Sequence, residues 1–246
     1  MPVPGIICLE VGIQGIISAA MSTIEATSKE SPAGQAPSPG TVAYELEGSL
    51  YLNVTRSCTA RCRFCYREES PRIGPYDLAL VRDPTAEEFR AVLGNAGRYR
   101  QIVFCGFGEP TLRLALLSEI GRELKGKARS VRLNTNGHGN LIHGRNIVPD
   151  LAGFLSAVSI SLNAHNAVLY EELCRPSFGP DTFQAVLDFA RKCVGSIPDV
   201  ALTVVEHPRV DLEECGRIAA AIGAALRVRR YYTHIQDTQR YLPDNG

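Results

Sequence analysis

The chain has 246 residues, 45% hydrophobic and 21% charged, enough for one large α/β domain or two small ones with a sizeable core. Lys plus Arg equals Asp plus Glu at 26 each, which argues against a general nucleic-acid-binding surface while leaving room for a local basic patch. The apolar content excludes disorder along the whole chain, and eight cysteines are too few for a disulfide scaffold.

The first 40 residues differ in composition from the rest of the chain. They hold five Pro, five Gly and five Ser and no aromatic residue. Thr27–Gly40 (TSKESPAGQAPSPG) reads as a flexible linker that cannot bury enough surface to order itself. Val3–Met21, apolar but broken by Gly5, Gly12 and Gly15, reads as upstream sequence or a weak docking segment. The run Val11–Ile24 has 14 residues, including Gln14 and Gly15, where a spanning helix needs about 20 apolar ones. No Lys or Arg precedes Lys29, so a signal peptide's basic start is missing. The expectation is a cytoplasmic protein without a membrane anchor. There thiols stay reduced, and clustered cysteines mean metal or redox chemistry.

From Thr41 onward, β-rich runs alternate with helical ones. The strands expected are Leu50–Thr55, Gln101–Cys105, Ser130–Thr135, Ala157–Asn163, Val200–Val205 and Leu226–Arg230. Helical periodicity occupies Pro84–Asn95, Leu112–Leu124, Pro149–Leu155, Asp181–Val194 and Leu212–Ile222. Such alternation means parallel strands with right-handed crossovers. It predicts a partial (βα)6 barrel over 41–231, after a flexible extension (1–40) and before a tail (232–246). An open, doubly wound six-strand sheet is the competing architecture. Within the strands, Tyr51, Asn53, Arg132, Asn134, Ser159 and Ser161 alternate with Leu50, Leu52, Val131, Leu133, Val158 and Ile160. Ordinary barrel interiors are filled by branched apolar residues. A polar inner face therefore suggests a lumen that holds a ligand.

Directly after the first strand comes Cys58-Thr-Ala-Arg-Cys62-Arg-Phe-Cys65. Three thiolates in one loop at a strand's C-terminal end can converge on one metal centre. Zinc would want a fourth Cys or His with its own paired spacing, and none occurs at a suitable distance. Iron–sulfur clusters take thiolates, usually four. With three, one iron keeps a position open to a ligand that is not protein.

This C-x3-C-x2-C spacing, with Phe64 before the last cysteine, resembles the signature of radical S-adenosylmethionine (SAM) enzymes. A second match comes after the second strand. Gly106-Phe107-Gly108-Glu109-Pro110 resembles that family's Gly-Gly-Glu-Pro element, with Phe107 in place of a glycine. The resemblance implies a partial barrel whose Cys58, Cys62 and Cys65 hold a 4Fe–4S cluster. SAM would sit against the open iron, its amino group met by Gly106, Gly108 and Glu109. Asn134 and Asn136, closing strand three, would meet the ribose, and Ser161 and Asn163, closing strand four, the methionyl or ribose part. The implied reaction is reductive cleavage of SAM to methionine and a 5′-deoxyadenosyl radical, which abstracts hydrogen from a substrate.

Over about Thr41–Tyr231 a narrower resemblance holds. VFCGFGEPTL (Val103–Leu112), RLNTNGHGNLIHGRNI (Arg132–Ile147), SISLNA (Ser159–Ala164) and ELCRPSF (Glu172–Phe178) look like the TatD-linked radical SAM proteins. This implies association with a TatD-type nuclease, and a reductant such as flavodoxin or ferredoxin. The substrate, a small molecule or macromolecule, is not legible. An iron–sulfur electron carrier or a non-catalytic cluster-bearing module is the alternative function. No cysteine occurs after Tyr231, which lowers the expectation of an auxiliary cluster.

Other polar residues have double readings. His138, His143 and His165 fall just past strands three and four, as acid/base groups or as surface and capping groups. Cys105 reads as a small buried thiol, and Cys174 as a buried thiol or a hydrogen donor to a product radical. Cys8, Cys193 and Cys215 read as ordinary thiols. By parity Arg132, Arg227 and Arg229 point into the lumen. They need either internal carboxylates, such as Glu109 or Glu206, or anionic ligands; the carboxylate of SAM could satisfy one.

Overall fold

The computed structural model describes residues 6–8, 38–65, 67, 71–73 and 75–229. Its strands are β1 (Ile6–Cys8), β2 (Ala43–Leu46), β3 (Ser49–Asn53), β4 (Arg72–Ile73), β5 (Tyr76–Asp77), β6 (Gln101–Cys105), β7 (Val131–Thr135), β8 (Ala157–Ser161), β9 (Asp199–Val205) and β10 (Ala225–Arg229). Its helices are α1 (Ala86–Leu93), α2 (Leu114–Leu124), α3 (Gly139–His143), α4 (Val148–Ala152), α5 (Ala167–Cys174), α6 (Thr182–Cys193) and α7 (Leu212–Ile222).

The main sheet runs β1-β10-β9-β8-β7-β6-β3-β2. Within this sheet β6 pairs in parallel with β3, and β7, β8, β9 and β10 each pair in parallel with the strand before them, while β4 and β5 form a separate antiparallel pair. A doubly wound sheet reverses strand order at a switch point. This sheet does not reverse, and that settles the two architectures in favour of the partial barrel. All six expected strands form, but β3 and β8 stop early. Thr55, Leu162 and Asn163 lie in the loops beyond them.

Four strands, β1, β2, β4 and β5, carry no signal in the sequence pattern, and two of them edge the main sheet. β2 folds back antiparallel on β3, with Tyr44 opposite Tyr51. At the other edge β1, inside the Val3–Met21 segment, pairs in parallel with β10, Ile7 opposite Arg227. The rest of 1–37, and the tail, lie outside the described residues.

Helix starts are set by local chemistry. Thr85 and Glu88 form a reciprocal capping box on α1, and Asp211 caps α7 through the Glu214 N–H. At the end of α7, Gly223 takes φ 85°. Apolar stripes of these helices bury Phe89, Leu117, Ile120, Val186, Phe189 and Cys215 against the strand residues Leu52, Ile102, Phe104, Leu133 and Ile160. A second, small cluster of Tyr44, Leu78, Val103 and Cys105 lies on the opposite face. Helices therefore cover one side of the sheet, and the other encloses the lumen. Among the described residues no helix is long and apolar enough to cross a membrane.

Candidate active site

The cysteine loop leaves the C-terminal end of β3 and is clamped from two sides. On one side the Gly-rich loop after β6 is zipped to it: the Gly108 N–H donates to Thr55 O at 3.0 Å, and the Glu109 N–H to Ser57 O at 2.8 Å. A Cβ on Gly108 would stand 2.2 Å from Ser57 O and 2.5 Å from Thr55 O. The sequence resemblance assigns this glycine to close approach of a ligand. In the structure the atoms it approaches are carbonyls of the cysteine loop itself. Gly106, at φ 149°, would place a Cβ 3.0 Å from Asn53 Oδ1.

On the other side lies the end of α5, a helix that periodicity misses because it is short and is started locally by Asn166, whose side chain accepts from the Leu169 N–H. The Arg61 and Arg63 N–H groups donate to Cys174 O and Leu173 O at 3.1 and 2.8 Å, and the Ser177 N–H donates to Thr59 O at 2.9 Å. Phe64 packs against the main core. The ELCRPSF stretch is thus the platform on which the cysteine loop rests.

Beneath the loop a polar network ties these parts together. The buried Glu109 carboxylate accepts from Thr111 N–H (3.0 Å), Thr111 Oγ1 (2.6 Å), Thr135 Oγ1 (2.7 Å) and Asn136 N–H (2.6 Å). Burial pushes its carboxyl above the ordinary range, and these donors oppose the push. Glu109 is therefore a strut that fixes Asn136. Asn136 in turn donates to Thr59 Oγ1 at 3.0 Å and comes within 3.9 Å of Cys58 Sγ. His138, fully buried, joins Thr59 Oγ1 at 2.8 Å to the Tyr170 hydroxyl at 2.7 Å. Burial lowers its pKa to about 4, so it is a neutral bridge at pH 7, unlike either the acid/base or the surface reading. His143 donates to Thr111 O at 2.8 Å, and His165 accepts from the Asp211 N–H at 3.1 Å. Thr59 and Tyr170, absent from the sequence reading, owe their place to contacts 79 and 32 residues away along the chain from His138.

Cys58, Cys62 and Cys65 are all half-buried thiols on this one loop. Burial raises the Cys58 pKa to about 11. Cys62 is lowered, chiefly because the Cys174 thiol donates to it, and Cys174 is raised by the same contact. Cys174 is thus buried against a candidate ligand. Cys105, also buried, is pushed up to about 12 by desolvation. Cys193 and Cys215 are core residues. As placed, no three His, Cys, Asp or Glu side chains among the described residues stand close enough to hold a metal ion. The donor set still fits an iron–sulfur cluster in kind, since thiolates are what such clusters take.

The lumen wall fits a polar ligand. Among the described residues Asn134 Oδ1 is buried without a partner, which in a finished interior is uncommon and costly. Ser161 Oγ accepts from Arg229 Nη2 at 3.4 Å. Asn163, at φ 57°, accepts from the Val205 N–H at 3.4 Å. The structure thus brings Asn134, Ser161 and Asn163 to the C-terminal rim on the lumen side and Asn136 beneath the cysteines. Arg227 faces Asp199, at 3.0 Å.

Comparison with known proteins gives a consistent picture. The family model described as "Radical SAM superfamily" matches residues 52–222. A curated relative from Pyrococcus furiosus, the tungsten-containing aldehyde ferredoxin oxidoreductase cofactor-modifying protein, is 32% identical over 91 residues, 36% of this chain and 23% of that one. Among solved structures, Streptococcus suis SuiB superposes with a TM-score of 0.57 at 17% identity, covering 76% of this chain and 40% of its own. Methylornithine synthase (PylB) gives 0.55 at 14%, covering 80% and 57%. The enzyme anSMEcpe with bound AdoMet gives 0.55 at 19%, covering 78% and 54%. At these identities the structures speak for the fold alone. This chain spans about half the length of those structures and less than a quarter of the curated relative.

Proposed function

Because the chain belongs to the radical SAM superfamily, we propose that it is an enzyme whose Cys58, Cys62 and Cys65 hold a 4Fe–4S cluster and whose barrel binds SAM and a substrate. The observation that carries this reading is the placement of the cysteine loop at the rim of a lumen whose wall holds an orphaned polar atom, Asn134 Oδ1. When bound, the cluster held by Cys58, Cys62 and Cys65 and the SAM beside it would supply reductive cleavage of SAM to methionine and a 5′-deoxyadenosyl radical for hydrogen abstraction from a substrate.

The chain's own residues position and enclose. Glu109 and Asn136 hold Thr59 and the Cys58 turn from below, and the α5 end holds residues 61–63 from the side. Asn134 Oδ1 is an acceptor matched to a ribose hydroxyl, and Ser161 and Asn163 offer further polar contacts on the same rim. Gly106 and Gly108 bring the backbone before Glu109 to the edge of the cysteine loop. A flavodoxin or ferredoxin belongs to this proposal as the electron donor that reductive cleavage requires, and association with a TatD-type nuclease through the resemblance of the Val103–Leu112, Arg132–Ile147, Ser159–Ala164 and Glu172–Phe178 stretches.

The test is anaerobic reconstitution with iron and sulfide, and then addition of SAM and dithionite. The expected results are visible charge-transfer absorbance and formation of 5′-deoxyadenosine. Replacing any one of the three cysteines by Ala should abolish both. A triple variant that still binds four irons overturns the ligand assignment. A reducible cluster that never yields 5′-deoxyadenosine leaves the electron-carrier reading in its place.

A further inference from the structure

The inner face carries two guanidinium groups that no carboxylate among the described residues answers. Arg132, the second residue of β7, donates from Nη2 to the Tyr51 hydroxyl at 3.2 Å, and its buried Nε has no partner among the described residues. Arg229, at the C-terminal end of β10, donates from Nη2 to Thr203 Oγ1 at 3.2 Å and Ser161 Oγ at 3.4 Å. These partners orient the cations without neutralising them. The acids that the sequence offers as partners are otherwise engaged or elsewhere. Glu109 is saturated by Thr111, Thr135 and Asn136, and Glu206 is exposed and forms no ion pair with either arginine. Asp199 serves Arg227. Among the described residues neither Arg132 nor Arg229 has an acidic partner.

Physical chemistry makes this arrangement unfavourable unless an anion completes it. Two like charges share one enclosure, and burial together with Arg132 pushes the Arg229 guanidinium below its usual pKa. Arg229 is exposed, and its guanidinium reaches Ser161 and Thr203 on the inner face of the sheet. A cation with a buried, unpartnered N–H such as Arg132 Nε gains from a counter-charge, and the planar fork of Arg matches carboxylate or phosphate oxygens.

The two arginines lie at different depths. Arg229 is at the rim with Ser161, on the side of the Cys62 loop. Arg132 is two residues deeper on β7 than Asn134, roughly 6–7 Å down an extended strand. It is registered with Val103 and, through it, with Tyr51. Around it lie Tyr51, stacked on Tyr44 with ring centroids 5.1 Å apart, and the buried Val103 and Cys105. An apolar wall carrying one oriented charge is the usual make-up of a small-molecule site.

Resting on the radical SAM reading, we propose that the substrate is a small organic anion whose carboxylate or phosphate is bound by Arg132 in the depth of the lumen, below the rim where Arg229 is left to the carboxylate of SAM. The cofactor then occupies the upper tier with Asn134 and Ser161, and the substrate lies beneath it.

The experiment uses the cluster-loaded protein in four forms: wild type, Arg132→Gln, Arg229→Gln and, as a paired-arginine control, Arg227→Gln. SAM affinity is measured by calorimetry. With SAM saturating, inorganic phosphate and malonate are titrated separately, at matched ionic strength in chloride, and the shift in melting temperature is read. Wild type and Arg227→Gln should show a saturable shift with at least one anion, and which anion responds distinguishes phosphate from carboxylate substrates. Arg132→Gln should weaken that response at least tenfold, whereas Arg229→Gln should chiefly weaken SAM. The proposal is overturned if the anion response is unchanged in Arg132→Gln, or if SAM abolishes it in wild type, since both arginines would then serve the cofactor. Should Arg132→Gln fail to fold, Arg132→Lys keeps the charge without the fork, and an unaltered response there is equally fatal. Failure of the radical SAM reading shows separately, as wild type without 5′-deoxyadenosine. In that event Arg132-dependent phosphate binding without SAM decides the anion site on its own.

Discussion

Leu133 and its neighbours Arg132 and Asn134 occupy successive positions on β7 but belong to two different regions. Leu133 is fully buried in the main apolar core. Arg132 and Asn134 face the lumen, each with a buried polar atom left without a partner. The same contrast runs around the wall: Phe104 against Cys105, Ile160 against Ser161, Leu202 against Thr203. The outer face is a finished interior that supplies stability. The inner face is unfinished, with polar atoms that protein contacts do not satisfy, and it is the face a ligand would complete.

Substitutions on the two faces should therefore behave differently. Leu133→Ala should cost about 2–5 kcal/mol, as large-to-small changes in a close-packed core do. Arg132→Gln, one residue away, should cost less than about 1 kcal/mol or be stabilising, because it removes an uncompensated charge. Equal losses in denaturant unfolding would break the comparison.

His138 tests whether the floor beneath the cysteines belongs to the finished region. Its imidazole titrates near 6.5 when unfolded and at about 4 in the fold. Between these values the unfolded chain holds the extra proton. The contribution is therefore fully present above about pH 6.5 and is lost as pH falls toward 4, by about 3 kcal/mol in all. In His138→Gln this part of the pH profile should flatten, and an unchanged slope would show that His138 is not its source.

Gly108→Ala probes the seam between the regions. Its Cβ would meet Ser57 O and Thr55 O, which are backbone and cannot swing aside. The expected cost is about 1–3 kcal/mol, with reduced iron per chain after reconstitution. Full iron loading at wild-type stability would mean that the zipped loop is not what positions the cysteines. The smallest effect belongs to the surface. Arg145→Ala, removing an exposed pair with Asp150 at 2.6 Å, should change stability by less than about 0.5 kcal/mol.

Much of this molecule is written locally and can be read. The alternation of β7 and β8 assigns residues to the two faces without any coordinates, because a strand's side-chain period of two leaves no third choice. The strand–helix rhythm implies parallel pairing, and the spacing of Cys58, Cys62 and Cys65 places three thiols on one loop. The strand order, free of any reversal, had to come from the structure, since rhythm alone serves both a barrel and a doubly wound sheet.

The support of the cysteine loop is hidden from such reading, because each contact joins residues far apart in the chain. The Cys62 thiol meets Cys174, Thr59 meets His138, and Gly108 meets Thr55 and Ser57. The partners of the lumen arginines are hidden for the same reason: parity points Arg132, Arg227 and Arg229 inward, but only the folded chain gives Asp199 to Arg227 and no acid to the other two. Periodicity fixes which way a side chain points. What it meets there depends on how distant segments pack, and only the tertiary structure decides that.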